Sequence, residues 1–471
     1  MKFKIPEYVN IVLNRLEENA YEGFIVGGSI RDLILGKTPH DYDVTTNANP
    51  NQIQEIFKDF KTITIGKDFG TIVLVQKEGN IELTTYRVEG EYLDGRRPSQ
   101  VTFSNDIEED LSRRDFTINA MAYNDQGLKD PFNGRYDLDK KIIRTVGNPL
   151  ERFSEDYLRI LRGVRFASQL GFKIDDESYK ASKEMSHLLS HISTERIREE
   201  LFKILLSEKP SYGIRLMEDL KILDIVLPEL ISAIDFEQHN PNHDKGVFEH
   251  TLCVLDGVSN LIEIRLAALF HDIGKAHSLT IDEEGIGHFY GHEKISVDIA
   301  KKALTRLKCS KDLIEDVLLL IGDHMTKSRG MKEKGLKRLI GRLGEDRIFK
   351  LMELQIVDRS CTNRQADVEY LVNRQDEIQR IIDGNEPYEK KHLAIDGNDI
   401  IDLGYAQGKI IGETLDYLLE KVIKNPDLNN KEKLLELAND KYSQKEANKS
   451  ETTEKSNIVI QRSDSDEESF F

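Results

Sequence analysis

The chain has 471 residues, 84 acidic against 66 basic side chains and a formal net charge of −18. That length calls for several domains, and the acidity excludes a nucleic-acid surface spread over the whole molecule, so any basic contact face must be local. No apolar run approaches membrane-spanning length, and the opening MKFKIPEYVN lacks an apolar signal core. Cys253, Cys309 and Cys361 are far apart and odd in number, which implies neither a disulfide framework nor a thiolate metal site. A reducing cytoplasm is the expected compartment.

In chain order, FIVGGSIRDLILG (24–36) reads as a short apolar strand, a glycine turn and a helix with Ser29 as its N-cap, ended by Gly36. Asp41 to Thr45 reads as a second strand on which Asp41 and Asp43 face the same way. Gly-Gly turns and Asp-x-Asp pairs are commonplace singly. Together, a turn at Gly27 and Gly28 offers backbone N–H groups to phosphate, Arg31 adds a planar donor, and paired carboxylates suit Mg²⁺. The set fits a nucleoside triphosphate. Two further strands are expected at 70–75 and 81–86, the second placing Glu82 either in the metal site or in water. TYRVEGEYLDGRRP (85–98) reads as a flexible polar loop. In LSRRDFTINAMAYN (111–124) the apolar surround of Arg114 and Asp115 argues for an aimed arginine, not a surface charge cluster.

From about residue 150 the pattern becomes helical. SEDYLRILRGVRFA (154–167) reads as one helix, with Asp156, Arg159, Arg162 and Arg165 in an i±3 row opposite an apolar face. An ordinary ladder would pair Asp156 with Arg159 and leave the other arginines in water. Three arginines in a row nevertheless repel unless they meet anionic groups. Cytosine and adenine both offer an amino donor beside a ring-nitrogen acceptor, whereas guanine and uracil offer the reverse. A carboxylate next to a guanidinium, Asp156 with Arg159, therefore accepts C and A and rejects G and U. Arg162 and Arg165 then serve phosphates.

The ordered set GGSIRD, DYD, DGRRP, RRDFTINA, EDYLRILRGVRFA and HISTERIREEL (191–201) resembles the bacterial class II tRNA nucleotidyltransferases, the CCA-adding enzymes. The stretch LAIDGNDIIDLG looks like the tail of the same family. The resemblance implies an α+β chain: a polymerase-β-like nucleotidyltransferase head, then all-α neck, body, HD and tail domains. It implies addition of C, C and A to tRNA from CTP and ATP, Mg²⁺ at Asp41 and Asp43, and nucleotide contacts at Gly28, Arg31, Arg114, Asp156, Arg159, Arg162 and Arg165. No membrane partner is expected.

Further on, VFEHTL, LFHDIGKA, GHEKIS, IGDHM and LMELQIVDRS carry His250, His271, Asp272, His292, His324 and Asp358, with His271 and Asp272 expected within one apolar helix. This order resembles the HD phosphohydrolase superfamily, whose single-metal pattern corresponds to His250, His271, Asp272 and Asp358. His292 and His324 match the extra ligands of two-metal members. Imidazole with carboxylate suits a transition metal such as Ni, Mn, Fe or Zn. The expected divisions are a head at 1–147, neck and body at 148–235, an HD domain at 236–382, a helical tail at 383–440 and a disordered acidic segment at 441–471. Competing readings are a bacterial poly(A) polymerase or A-only enzyme, and an HD nucleotide phosphohydrolase whose head senses nucleotides.

Overall fold

The computed structural model describes residues 2–64, 70–90, 101–239, 245–326, 330–362, 367–384 and 386–441. The chain divides into two compact units, Met1–Gly322 and Asp323–Phe471.

The first unit begins with α1 (Glu7–Glu18) and a seven-stranded mixed sheet. Its strands are β1 (Gly23–Val26), β2 (Tyr42–Thr46), β3 (Lys61–Ile63), β4 (Thr71–Val75) and β5 (Ile81–Thr85), joined by β8 (Ala122–Asn124) and β9 (Gly127–Lys129). The separate β6 (Arg87–Glu89) and β7 (Val101–Phe103) pair antiparallel with each other. The sheet order is β3-β4-β5-β2-β1-β8-β9. Strand β1 is buried along its whole length, as a central strand's unbroken apolar run requires, and β5 alternates buried Ile81 and Leu83 with exposed Glu82. Helices α2 (Gly28–Ile34), α3 (Pro50–Ile56) and α4 (Ile107–Ser112) flank this sheet. Beneath its centre Phe24, Val26, Tyr86, Ile107 and Leu111 form a core with Ala120, Ala122 and Val146.

The helices that follow in this unit are α5 (Gly134–Lys140), α6 (Pro149–Glu155), α7 (Leu158–Leu170), α8 (Asp176–Met185), α9 (Thr194–Leu205), α10 (Pro210–Asp219) and α11 (Leu223–Val226). After them come α12 (Val247–Gly257), α13 (Ile262–Phe270), α14 (His292–Arg306) and α15 (Lys311–Asp323), the last ending at the unit boundary. The second unit carries α16 (Glu333–Leu343), α17 (Glu345–Thr362), α18 (Glu369–Asp383), α19 (Gly397–Asp402) and α20 (Lys409–Lys424). Its last two helices enclose a core that includes Ile395, Ile400, Tyr405, Leu418 and Val422. The α+β class with a mostly helical remainder is as expected; that remainder is not all-α, since Ile142–Ile143 pairs with Lys173–Ile174 and Thr280–Ile281 with Gly287–His288 in two short two-stranded sheets. Among the described residues no helix is long and apolar enough to cross a membrane.

Several local expectations are corrected. Gly27, not Ser29, caps α2; Ser29 lies in the first turn and donates its hydroxyl to Val26 O at 2.9 Å. Asp41 precedes β2 and does not belong to it. Arg87–Glu89, expected as part of a loop, is a strand; residues 91–98 of that loop and 442–471 of the acidic segment lie outside the described residues. The helix expected at 154–167 is two helices. Asp156 breaks it with extended backbone (φ −149°, ψ 105°), because its own side chain accepts from Leu158 N at 3.1 Å and starts a new helix. Cys309 is a free thiol.

Candidate active site

The carboxylate cluster is built by strand register. β2 runs parallel to β5 with Asp43 beside Glu82, and antiparallel to β1 with Asp43 beside Val26. The next residues after Val26 are the two glycines. Gly27 adopts φ +70°, and a Cβ there would stand 3.1 Å from Arg114 Nη1 and 3.8 Å from Asp43 Oδ2. Glycine is required on both counts: the backbone conformation and the close approach. The turn, Asp43 and Arg114 therefore share one small space.

Electrostatics confirm the crowding. Burial, then the charges of Glu82 and Asp41, push the Asp43 carboxyl up to about 6, with the Arg114 charge opposing them. Three oxygen-donor side chains whose mutual repulsion raises a pKa form a set that a hard divalent cation relieves. Arg114 is drawn toward the buried Asp110 (3.5 Å), while its Nε is buried with no hydrogen-bond partner among the described residues.

Arg31 is fixed from two sides, donating to Asp32 Oδ1 and Asn119 Oδ1, each at 2.9 Å. Asn119 passes the connection on to Asp115 Oδ1 at 3.1 Å. The other oxygen of Asp115 accepts from Arg162 Nε at 2.8 Å and from Arg162 Nη2. Burial opposes ionisation of Asp115, but the Arg162 charge and hydrogen bonds outweigh it and hold the carboxyl well below the usual range. Asp115 is thus a buried partner of Arg162, not part of a surface cluster with Arg114.

In the Asp156 row the ordinary ladder does not form. Asp156 does not pair with Arg159; it accepts from both Nη atoms of Arg196 on α9, at 2.6 and 3.3 Å. Arg159 is held separately by Glu155 and by the carbonyls of Arg152 and Arg113, the latter two at 3.1 Å. Arg165 is buried against Glu200 at 3.1 Å, and desolvation draws its pKa down to about 10. The three arginines do meet anionic groups, as their mutual repulsion demands, and in the free protein those groups are carboxylates of other segments. Glu155, Arg196 and Glu200 were not singled out in the sequence. No spacing rule joins α7 to Arg196 and Glu200 on α9, so no sequence signal identifies those two, whereas Glu155 stands at the i,i+4 spacing from Arg159 that would have flagged it.

Family models match three segments: the poly A polymerase head domain over residues 23–144, the probable RNA and SrmB-binding site of polymerase A over 171–234, and the HD domain over 243–367. A CCA-adding enzyme of Staphylococcus epidermidis is 32% identical over 439 residues, which is 93% of this chain and 98% of that protein. The chain belongs to the CCA-adding enzyme family. A second family member, from Ligilactobacillus salivarius, is 32% identical over 435 residues, 91% of this chain and 94% of its own length. Among solved structures, the Bacillus stearothermophilus CCA-adding enzyme in complex with CTP matches at 26% identity with a TM-score of 0.70, covering 94% of this chain and all of that one. The Thermotoga maritima CCA-adding enzyme complexed with tRNA_CCA shares the fold at 23% identity and a TM-score of 0.58.

This family member carries a second cluster, in the region matched by the HD model. His250 lies on α12, His292 opens α14, and His271 and Asp272 fall just past the end of α13, at its junction with a 3-10 turn, not inside a helix as expected. Ligating atoms of His250, His271 and Asp272 lie within 4.8 Å of one another. Their Nε2 atoms stand 3.5 and 3.4 Å from Asp272 Oδ2, and His292 Nε2 stands 3.2 Å from Oδ1. The Nδ1 atoms of His271 and His292 each meet a backbone carbonyl at 2.8 Å, Ala268 O and Phe289 O. A donated Nδ1–H leaves Nε2 as the ligating atom, the usual outer arrangement of a metal-binding histidine. All four residues are buried. Lys275, which the sequence reading passed over, reaches Asp272 Oδ2 at 2.6 Å. Burial opposes ionisation of Asp272, yet the Lys275 and His271 charges and the histidine hydrogen bonds keep its carboxyl well below the usual range. An Asp-x-x-Lys spacing in an apolar stretch is the signal that would have flagged that lysine.

In the second unit, Gln355 Nε2 donates to the carbonyls of Asp323, His324 and Thr326 at 3.3, 2.9 and 3.2 Å. Arg342 clamps Asp323 with two 2.7 Å bonds. The turn carrying His324 is therefore rigidly held, and Asp358 lies on α17.

Proposed function

We propose that this protein adds C, C and A to the 3′ end of tRNA from CTP and ATP, with amino-acid side chains in place of a nucleic-acid template. The observation that carries this reading is the Asp41, Asp43 and Glu82 cluster set against the Gly27 turn, in a chain of the CCA-adding family. The 3′-hydroxyl oxygen attacks the α-phosphorus and pyrophosphate leaves. Asp41 and Asp43 hold Mg²⁺, with Glu82 beside them; when bound, the ion supplies acidification of the hydroxyl and neutralisation of the leaving group. Gly27 and Gly28 let the backbone approach the phosphates. Arg31, Arg114 and Arg162, backed by Arg165, offset triphosphate charge. Asp156 accepts from the amino group of C or A, and Arg159 donates to the adjacent ring nitrogen. A rejected base leaves polar atoms unpaired, at about 1–3 kcal/mol each. Because Arg196 and Glu155 hold the two template side chains separately, neither depends on the other for its place.

We infer a second activity, hydrolysis of phosphoesters, at the HD cluster. His250, His271, Asp272 and His292 supply imidazole and carboxylate donors, and the order of motifs assigns His324 and Asp358 to the same ligand set. A transition metal such as Mn, Ni, Fe or Zn, when bound, supplies a hydroxide-like nucleophile near neutral pH. The substrates proposed are phosphoesters resembling RNA ends, such as 2′,3′-cyclic phosphates, whose removal clears a 3′ end for the head. The domain divisions given above, with head, neck and body, HD domain and tail, stand as part of this proposal. We place both activities in the cytoplasm alongside their tRNA substrate.

The test gives the purified protein tRNAs ending at the discriminator base, at C and at CC, with one nucleotide at a time. C accepted on the first two and A on the third is the expected pattern. A added only to the CC end identifies an A-only enzyme, and long A tracts a poly(A) polymerase. No addition at all, with hydrolysis of nucleotides instead, returns the head to a sensing role.

A further inference from the structure

Phe166 is the one aromatic ring among the described residues over which three guanidinium groups gather. The Arg165 guanidinium carbon lies 4.0 Å from its centroid, that of Arg31 5.3 Å and that of Arg162 5.5 Å. The ring itself is 5% exposed and fixed by the edge of Phe116, with centroids 5.7 Å apart at 80°. Arg31 comes from α2 of the head, whereas Arg162 and Arg165 come from α7.

Each of these arginines already has a carboxylate: Asp32, Asp115 and Glu200 respectively. Charge balance is therefore not what the ring adds. A carboxylate holds one edge of a guanidinium and leaves it free to pivot about that edge. An aromatic face against the guanidinium removes the pivot, through the attraction of a cation for the negative face of the ring. The hydrogen-bond chain Arg31–Asn119–Asp115–Arg162 fixes the same two groups from the polar side. Ring and chain together set the distance between a head arginine and an α7 arginine.

We propose that Phe166 is a positioning residue for the triphosphate: it holds Arg31 and Arg162 at a fixed spacing, and so serves CTP and ATP alike without taking part in base choice. This rests on the reading that those arginines contact the triphosphate, and it adds the element that aims them.

The experiment measures steady-state addition of C and of A, with Tm, for Phe166→Leu and for replacement of Phe166 by pentafluorophenylalanine, which keeps the shape and reverses the ring's charge distribution. Phe153→Leu, a buried ring change on α6 with no cation over it among the described residues, controls for lost packing. Both changes at 166 are expected to raise KM for CTP and ATP by a similar factor, about tenfold. They should leave kcat within about twofold of wild type, the mark of lost uniform binding. Phe153→Leu should lower Tm while leaving both KM values unchanged, which separates lost stability from lost aim. A wild-type KM in the fluorinated protein overturns the proposal, as does a loss of kcat at constant KM. Arg162→Ala is measured alongside: if it too leaves KM unchanged, the triphosphate reading of the arginines is what fails.

Discussion

Replacing Arg196 by alanine separates the template reading from a merely structural one. Arg196 makes two contacts with Asp156, at 2.6 and 3.3 Å, and both side chains are mostly buried. Without it, Asp156 keeps among the described residues only the backbone N–H of Leu158, which fixes one oxygen and lets the carboxylate swing. A hydrogen bond to a charged group contributes about 1.5–3 kcal/mol, so a template that depends on this anchor should lose roughly 10- to 150-fold in discrimination. The cost should fall on base choice, since Arg196 has no described contact with Arg31, Arg114 or Arg162. The assay compares kcat/KM for CTP against UTP on tRNA ending at the discriminator base, and ATP against GTP on tRNA ending in CC. Arg196→Lys should recover only part of the effect, because one ammonium cannot reproduce a planar two-bond grip. If Arg196→Ala keeps full selectivity while Asp156→Ala loses it, the anchor is irrelevant. If both keep it, Asp156 is not the template.

Four other outcomes follow from the described geometry. Asp43→Ala should abolish nucleotide addition with fold and tRNA binding retained, measured by primer extension and circular dichroism. Because the Asp43 carboxyl is raised to about 6, protons compete with Mg²⁺ below that pH; the Mg²⁺ concentration for half-maximal rate should rise as pH falls through 6 and level off above 7. Asp115, whose carboxyl is depressed, contributes stability that is fully present above the ordinary carboxylate pKa and is lost as pH falls through its lower folded value; Asp115→Asn should flatten the acid limb of the Tm profile and cost about 3 kcal/mol at pH 7 by stranding Arg162. Changing His271 and Asp272 together to alanine should remove bound transition metal, read by elemental analysis, and any phosphoesterase activity, while nucleotide addition stays at the wild-type rate.

The sequence by itself determined what is local or ordered along the chain. The apolar run ending in Gly27-Gly28, the alternation around Glu82 and the helical remainder are periodicities of two and 3.6 residues, and the structure follows them. The order of motifs alone was enough to suggest the CCA-adding family, because an ordered set is specific where each member is weak. It also marked Arg114 and Asp115 as unusual, since charged groups among apolar neighbours need partners. Which partners they have only the tertiary structure decided. Asp156 looked like a helical neighbour of Arg159, but its carboxylate competes for the backbone N–H of Leu158, breaks the helix and turns to Arg196 on another helix. Arg162 and Arg165 looked free for phosphates, but a buried or half-buried cation without a counter-charge is too costly, and Asp115 and Glu200 fill that need from segments far along the chain. Lys275 beside Asp272 and the three cations over Phe166 are likewise products of packing. Such pairings depend on distances between elements, and a one-dimensional pattern does not carry them.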